Sequence, residues 1–146
     1  MNLVALAERC RAEHDYNPLC EAIPYARFLG ISVSEETGEF VSQLAFRPRN
    51  IGNPALPALH GGVVGAFLET TAILELVWAH ETQMIPKIIN ITVDFLRPAG
   101  PVTTYASGTI TKRGRRIANV TVEAWQDDRS RPVAVAHCHF LLELTR

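Results

Sequence analysis

Residues 63 to 79 form an almost unbroken apolar run, yet the run carries two carboxylates, Glu69 and Glu75. A helix that is apolar on every side belongs inside a fold. A carboxylate in such a helix costs free energy unless it is paired, protonated or used chemically. Directly before the run stand Leu59-His60-Gly61-Gly62. The two glycines let backbone approach a ligand closely, and the first turn of a helix leaves four N–H groups without intrahelical partners. Donors at one end of a helix and a lone acid two turns in are the parts of an acyl-transfer site.

A chain of 146 residues, 47% of them apolar, has the size and composition of one domain with a real core. Its net charge of −1 gives bulk electrostatics no reason to favour nucleic acid or a membrane surface, so neither is expected as a partner. The three cysteines, Cys10, Cys20 and Cys138, fit neither a disulfide framework nor zinc spacing, and a reducing, cytoplasmic setting is expected. The start of the chain, Met1 to Arg9, lacks a signal peptide's basic region and long apolar core. The central run has the minimum length of a membrane span, but its internal Glu69 and Glu75 argue against that use.

Leu3, Leu6, Ala7 and Cys10 recur at helical spacing, predicting an amphipathic surface helix over 3–13 that Asn17-Pro18 ends. A short helical turn before Gly30 follows. The segments 31–36 and 39–46 read as strands joined through the tetrad Glu35-Glu36-Thr37-Gly38. The stretch 50–57, dense in Gly, Pro and Asn, reads as an ordered loop rather than an element. After the central helix and the break at Met84-Ile85-Pro86, strands are expected over 87–96, 102–112, 116–126 and 133–144. Their short, turn-rich separators predict antiparallel pairing of neighbours. One buried helix against a long antiparallel sheet is an α+β arrangement, and the sheet buries most by curling round the helix.

This order, with His60-Gly61-Gly62 and an acid nine residues after the His, resembles the hotdog-fold acyl-CoA thioesterases, most closely the phenylacetate-degradation (PaaI-like) type. The resemblance covers roughly residues 28 to 144. It is carried by Ile51-Gly52-Asn53-Pro54, by His60-Gly61-Gly62-Val63-Val64 and Glu69, by Val93-Asp94-Phe95-Leu96-Arg97-Pro98-Ala99 and by Gly114-Arg115-Arg116. It implies one hotdog domain over 1–146 with an N-terminal helical extension at about 1–20. It implies a thioester hydrolase that needs no cofactor and acts on a small to medium acyl- or aryl-acyl-CoA. The Gly61 N–H would bind the thioester carbonyl, Glu69 would be general base or nucleophile, and His60 would shape the site. Relatives place an Asn or Gln six residues before the His; that position is Pro54, and Asn53 is the candidate substitute. Some use a Thr four residues beyond the acid; that position is Ile73, so the role is absent or falls to Thr70 or Thr71.

Glu69 lies eight residues past Gly61, roughly 12 Å along a helix axis, too far for one helix to present both groups to one carbonyl. Two antiparallel helices solve this, which predicts a two-fold dimer with two shared sites and leaves a dimer of dimers open. Gly62, Arg97, Arg113, Arg115 and Arg116 are further substrate-binding candidates, the arginines against coenzyme A phosphates, although a basic hairpin is often only a solvated one. Acyl-pocket walls are expected from Phe67, Leu68, Ile73 and partner strands. Glu75, facing elsewhere, reads as structural or interfacial. His137-Cys138-His139 places two imidazoles on one strand face without a third ligand, so no metal is expected. A hydratase or dehydratase of acyl thioesters, and a non-catalytic acyl-CoA binder, remain as alternatives.

Overall fold

A computed structural model describes residues 2–79 and 85–142. Three helices lead, α1 (Leu3–Glu13), α2 (Asn17–Ala22) and α3 (Pro24–Leu29), followed by strands β1 (Ile31–Glu36) and β2 (Glu39–Leu44). A 3-10 turn (Pro48–Asn50), the short strands β3 (Ile51–Asn53) and β4 (Ala58–Leu59), and the long helix α4 (Gly61–Trp78) come next. The strands β5 (Lys87–Phe95), β6 (Thr104–Arg113), β7 (Ile117–Trp125) and β8 (Ala134–Leu141) complete the chain. The expected ends of the central run at His80 and of the last strand at Leu144, and Met84 of the break, lie outside the described residues.

One antiparallel six-stranded sheet, ordered β1-β2-β6-β7-β8-β5, curls round α4. Ala118, Val120, Val122 and Ala124 of β7 are buried against the helix, while the alternate residues are not, as the period-two pattern predicts. On the helix, Phe67, Leu68, Ala72, Leu74 and Leu76 are fully buried. A different stripe, Gly62, Ala66, Glu69, Thr70 and Ile73, stays only partly covered. Its spacing of three and four residues is that of one helix face.

Several expectations need correction. Neighbours in sequence do not all pair: β5 pairs with β8, not with β6. The connector 96–103 contains Pro98 and Pro101, which hold it extended and deny it hairpin hydrogen bonds. It is instead tied to β4 by the Leu59 N–H, which donates to the Ala99 carbonyl at 2.8 Å. Asn17-Pro18 does not end α1, which stops at Glu13 with His14 in the left-handed region; the pair opens α2, with Pro in its first turn. α1 is the amphipathic surface helix expected over 3–13: Ala7 and Cys10 are buried, and Arg11 Nη1 donates to the Val77 carbonyl at the end of α4. The helical turn expected before Gly30 is α3, which Gly30 ends in the left-handed region. The hairpin between β1 and β2 turns as expected, on Thr37-Gly38, both with positive φ (54° and 78°), while β2 ends at Leu44 rather than at residue 46. The 50–57 stretch is not all loop, because β3 lies in it and pairs with β4 just beyond it.

The outer edge of β5 has no partner among the described residues. Its helix-facing side chains, read from the register with buried β8 residues, are Ile88, Ile91, Val93 and Phe95. Ile88 and Phe95 remain 36% and 59% exposed, because α4 covers the middle of the sheet and stops short of this edge. A long apolar edge strand of this kind is normally covered or paired.

Candidate active site

The geometry at the start of α4 follows from a few short hydrogen bonds. His60 is the N-cap, with extended backbone (φ −62°, ψ 133°). Its N–H donates to the Asn50 carbonyl at 2.8 Å, and its Nδ1 accepts the Gly62 N–H at 2.8 Å. That second bond requires Nδ1 unprotonated, which leaves the proton of the neutral ring on Nε2. The His60 carbonyl accepts from Val63 and Val64. The Gly61 N–H is thus the donor of the first turn that meets no acceptor among the described residues.

That free amide opens into a cleft of about 380 Å³ lined by Leu56, Val64, Phe95, Leu96, Arg97 and Val133, among others. A Cβ on Gly61 would meet the Phe95 ring at 3.4 Å. Gly62 has a different reason to be glycine, since a Cβ there would lie 2.9 Å from His60 Nδ1 and disturb the cap. Gly52 fixes the loop below: its Cβ would come within 2.6 Å of the His60 Cα, a clash with backbone. Gly52→Ala is therefore expected to destabilise the protein by about 1–3 kcal/mol, measurable by urea unfolding, and to displace His60.

Glu69 stands on the partly covered stripe of α4. Burial pushes its carboxyl above the ordinary carboxylate range, and among the described residues no donor or cation offsets that. The Cys138 thiol on β8 is pushed up chiefly by its burial and further by the Glu69 charge. Glu69 is absent from the lining of the Gly61 cleft. Within one chain, the Gly61 amide and the Glu69 carboxyl share no cleft and stand as two candidate half-sites.

The other candidates divide. Arg97 lines the Gly61 cleft, its Nε donating to the Pro132 carbonyl at 3.1 Å. Asn53 is exposed, and its Oδ1 is engaged by the Ala55 N–H at 3.1 Å in the β3–β4 turn. Arg113, Arg115 and Arg116 are exposed on the β6–β7 hairpin, at the far end of the sheet. The ends of β5 that flank the two groups are eight residues apart, roughly 26 Å. Phe67 and Leu68, expected as pocket walls, are instead core residues with no exposure. Thr71 is likewise buried, its hydroxyl donating to the Phe67 carbonyl, so only Thr70 stands on the Glu69 face. Among the described residues no three His, Cys, Asp or Glu gather as metal ligands would. Asn50 and Phe95 were not anticipated. The signal for Phe95 was present in its place on an alternating strand, but its exposure depends on where α4 stops.

Comparisons with known proteins bear on these half-sites. The family model described as Thioesterase superfamily matches residues 56–133, a span holding the cap, the free amide, Glu69 and Arg97. A medium/long-chain acyl-CoA thioesterase of Escherichia coli K12, YigI, is 31% identical over 122 residues, covering 73% of this chain and 78% of that protein. A crystal structure of a Chromobacterium violaceum protein superposes with a TM-score of 0.78 at 42% identity, covering 100% of both chains. A Bacillus halodurans protein solved with CoA shares the fold, with a TM-score of 0.71 at 20% identity over 84% of this chain and 80% of that one.

Proposed function

The chain belongs to the thioesterase superfamily, as a thioester hydrolase on the hotdog fold, and from that premise we propose that it hydrolyses acyl-coenzyme A at a site shared between two subunits. The observation that carries this reading is the Gly61 N–H, a helix-terminal donor without an acceptor among the described residues, on a residue that lines an apolar cleft. A thioester carbonyl seated there receives that N–H, which binds more strongly as negative charge builds on the oxygen. Glu69 of the partner subunit activates water for attack, or attacks the carbonyl carbon itself. Either role needs the ionised carboxylate. Collapse of the tetrahedral intermediate breaks the C–S bond and releases coenzyme A as thiol. The acyl group leaves as acid at once if water attacked, or after water cleaves the acyl–Glu69 anhydride if the carboxylate attacked.

The outer edge of β5, which no strand pairs among the described residues, supports the dimer. Antiparallel pairing of two β5 strands across a two-fold axis covers Ile88, Ile91, Val93 and Phe95 with the partner's helix. The Glu69 stripes of the two helices then face each other. The same pairing brings the Gly61 end of one chain towards the Lys87 end of the other, beside the hairpin that carries Arg113, Arg115 and Arg116. Arg97 of one subunit and the hairpin of the other would flank the phosphates of one coenzyme A. A similarity to YigI and the apolar walls of the cleft support an apolar acyl group.

Free thiol release from a panel running from acetyl- through long-chain acyl-CoA, with phenylacetyl-CoA included, tests the reaction. Release is expected, greatest for an apolar acyl group. Loss of enoyl absorbance without thiol would mark a hydratase, and tight binding with neither would mark a carrier.

A further inference from the structure

On the hydrolase reading above, we infer that Gln126 is a positioning residue for thioester cleavage: its side-chain amide fixes where the Gly61 N–H stands. One wall of the Gly61 cleft is built by Phe95 and by Leu96, Arg97, Pro98 and Ala99 of the connector 96–103. Pro98 and Pro101 remove two N–H donors from this segment, and none of it belongs to a strand of the sheet. Its place has to be set by other means.

Gln126 supplies that means from the end of β7. Its Oε1 accepts the Gly100 N–H at 3.0 Å, and its Nε2 donates to the Gly100 carbonyl at 3.0 Å. One side-chain amide thus meets both main-chain groups of Gly100, as a neighbouring strand would. The same Nε2 donates to the Thr104 hydroxyl at 3.1 Å, and Thr104 is the fully buried first residue of β6. The clamp therefore ties the connector to the sheet. Gly100 follows Ala99, whose carbonyl takes the Leu59 N–H at 2.8 Å. Leu59 in turn precedes the cap residue His60, and Gly61 comes next. A continuous line of covalent and hydrogen bonds runs from Gln126 to the Gly61 amide.

Gln126 acts from behind the cleft. It is absent from the Gly61 lining and stands in a separate cleft of about 200 Å³ with Asp127, Asp128 and Arg131. The two clefts share Arg97, Pro98 and Val133, so the connector is the partition between them. Gln126 is placed to hold that partition, not to touch a thioester. Without it the Gly100 N–H has no acceptor among the described residues, and the Leu59–Ala99 bond hangs on a loosened segment. An oxyanion donor works only within a few tenths of an ångström of its place, and a misplacement of about 1 Å can cost on the order of 10²-fold in rate.

The test compares Gln126→Ala with the native chain, using the best acyl-CoA of the panel as substrate. In the variant kcat should fall roughly 10- to 100-fold while KM rises less than about threefold. Amide hydrogen exchange at Leu59 should quicken, which reads the clamp without reference to activity. In a Gly61→Pro background the same substitution should lower kcat less than about twofold, because the amide it positions is already gone. If Gln126→Ala does not fold, Gln126→Glu keeps the acceptor for Gly100 but sets an oxygen against the Gly100 carbonyl. Its kcat relative to native should be severalfold down at about pH 8 and recover towards about pH 5, as the carboxyl gains a proton to donate. A native chain that releases no thiol would sink the hydrolase reading and this role with it, even with exchange at Leu59 quickened. Native thiol release with kcat unchanged in Gln126→Ala would overturn the positioning role alone. So would a full additive loss in the Gly61→Pro background, or a Gln126→Glu ratio that does not move with pH.

Discussion

Glu69→Gln is expected to lower the kcat for acyl-CoA hydrolysis by roughly 10²- to 10⁴-fold with little change in stability. The amide keeps the size of the carboxylate but can neither accept a proton from water nor attack a carbonyl. Glu69 is partly covered, and no hydrogen bond or ion pair among the described residues depends on its charge, so the fold does not need it. Because burial raises its pKa, the protonated and inactive form persists to higher pH than for an ordinary glutamate. For the native protein kcat/KM should fall as pH drops through that raised value, about tenfold per unit below it. Gln at this position should remove that acid limb from whatever activity remains. Initial rates of thiol release across pH read both effects. A Glu69→Gln enzyme with near-native kcat would show that the acid is structural.

Gly61→Pro tests the other half of the chemistry by removing one hydrogen atom. Proline has no N–H, and it is favoured at the first position of a helix. The residue before it must be extended, and His60 already is, at φ −62° and ψ 133°. No hydrogen bond among the described residues is lost, because the Gly61 N–H makes none there. The expected result is a helix and a Tm close to native, with kcat down roughly 10²- to 10³-fold, the usual cost of one oxyanion donor. The Phe95 ring 3.4 Å from the new Cβ must shift slightly, and Gly61→Ala, which adds the Cβ and keeps the N–H, separates that effect. Full activity in Gly61→Pro would exclude this amide from the reaction.

How much of this was legible in the sequence depends on which physical rule set each feature. The central helix and the alternating β7 were plain, because an apolar run and a period of two state burial directly. The place of β5 was not. Its partner is decided by the two prolines of the connector 96–103 and by the Leu59–Ala99 hydrogen bond, which act across the fold. The cap on α4 was visible as His60-Gly61-Gly62, but which of its amides stays free depends on Asn50 and on the His60 ring, and only coordinates give that. Phe67 and Leu68 were assigned to the pocket by closeness to Glu69 in sequence. Helical periodicity would have placed them on another face, leaving Ala66, Thr70 and Ile73 beside the acid. Glu75 was read as structural or interfacial because it faces away from Glu69, and it is buried, only 7% exposed.

Mixing the two inactive variants tests the shared site most directly. In a heterodimer of Glu69→Gln with Gly61→Pro, one site keeps the Gly61 N–H of the first chain and the Glu69 carboxylate of the second, while the other site loses both. Random exchange makes about half the dimers mixed, each with one working site of two, so thiol release should recover to about one quarter of the native rate. Activity that stays at the level of the separate variants, after subunit exchange has been verified by differently tagged chains, would contradict a site built from two subunits.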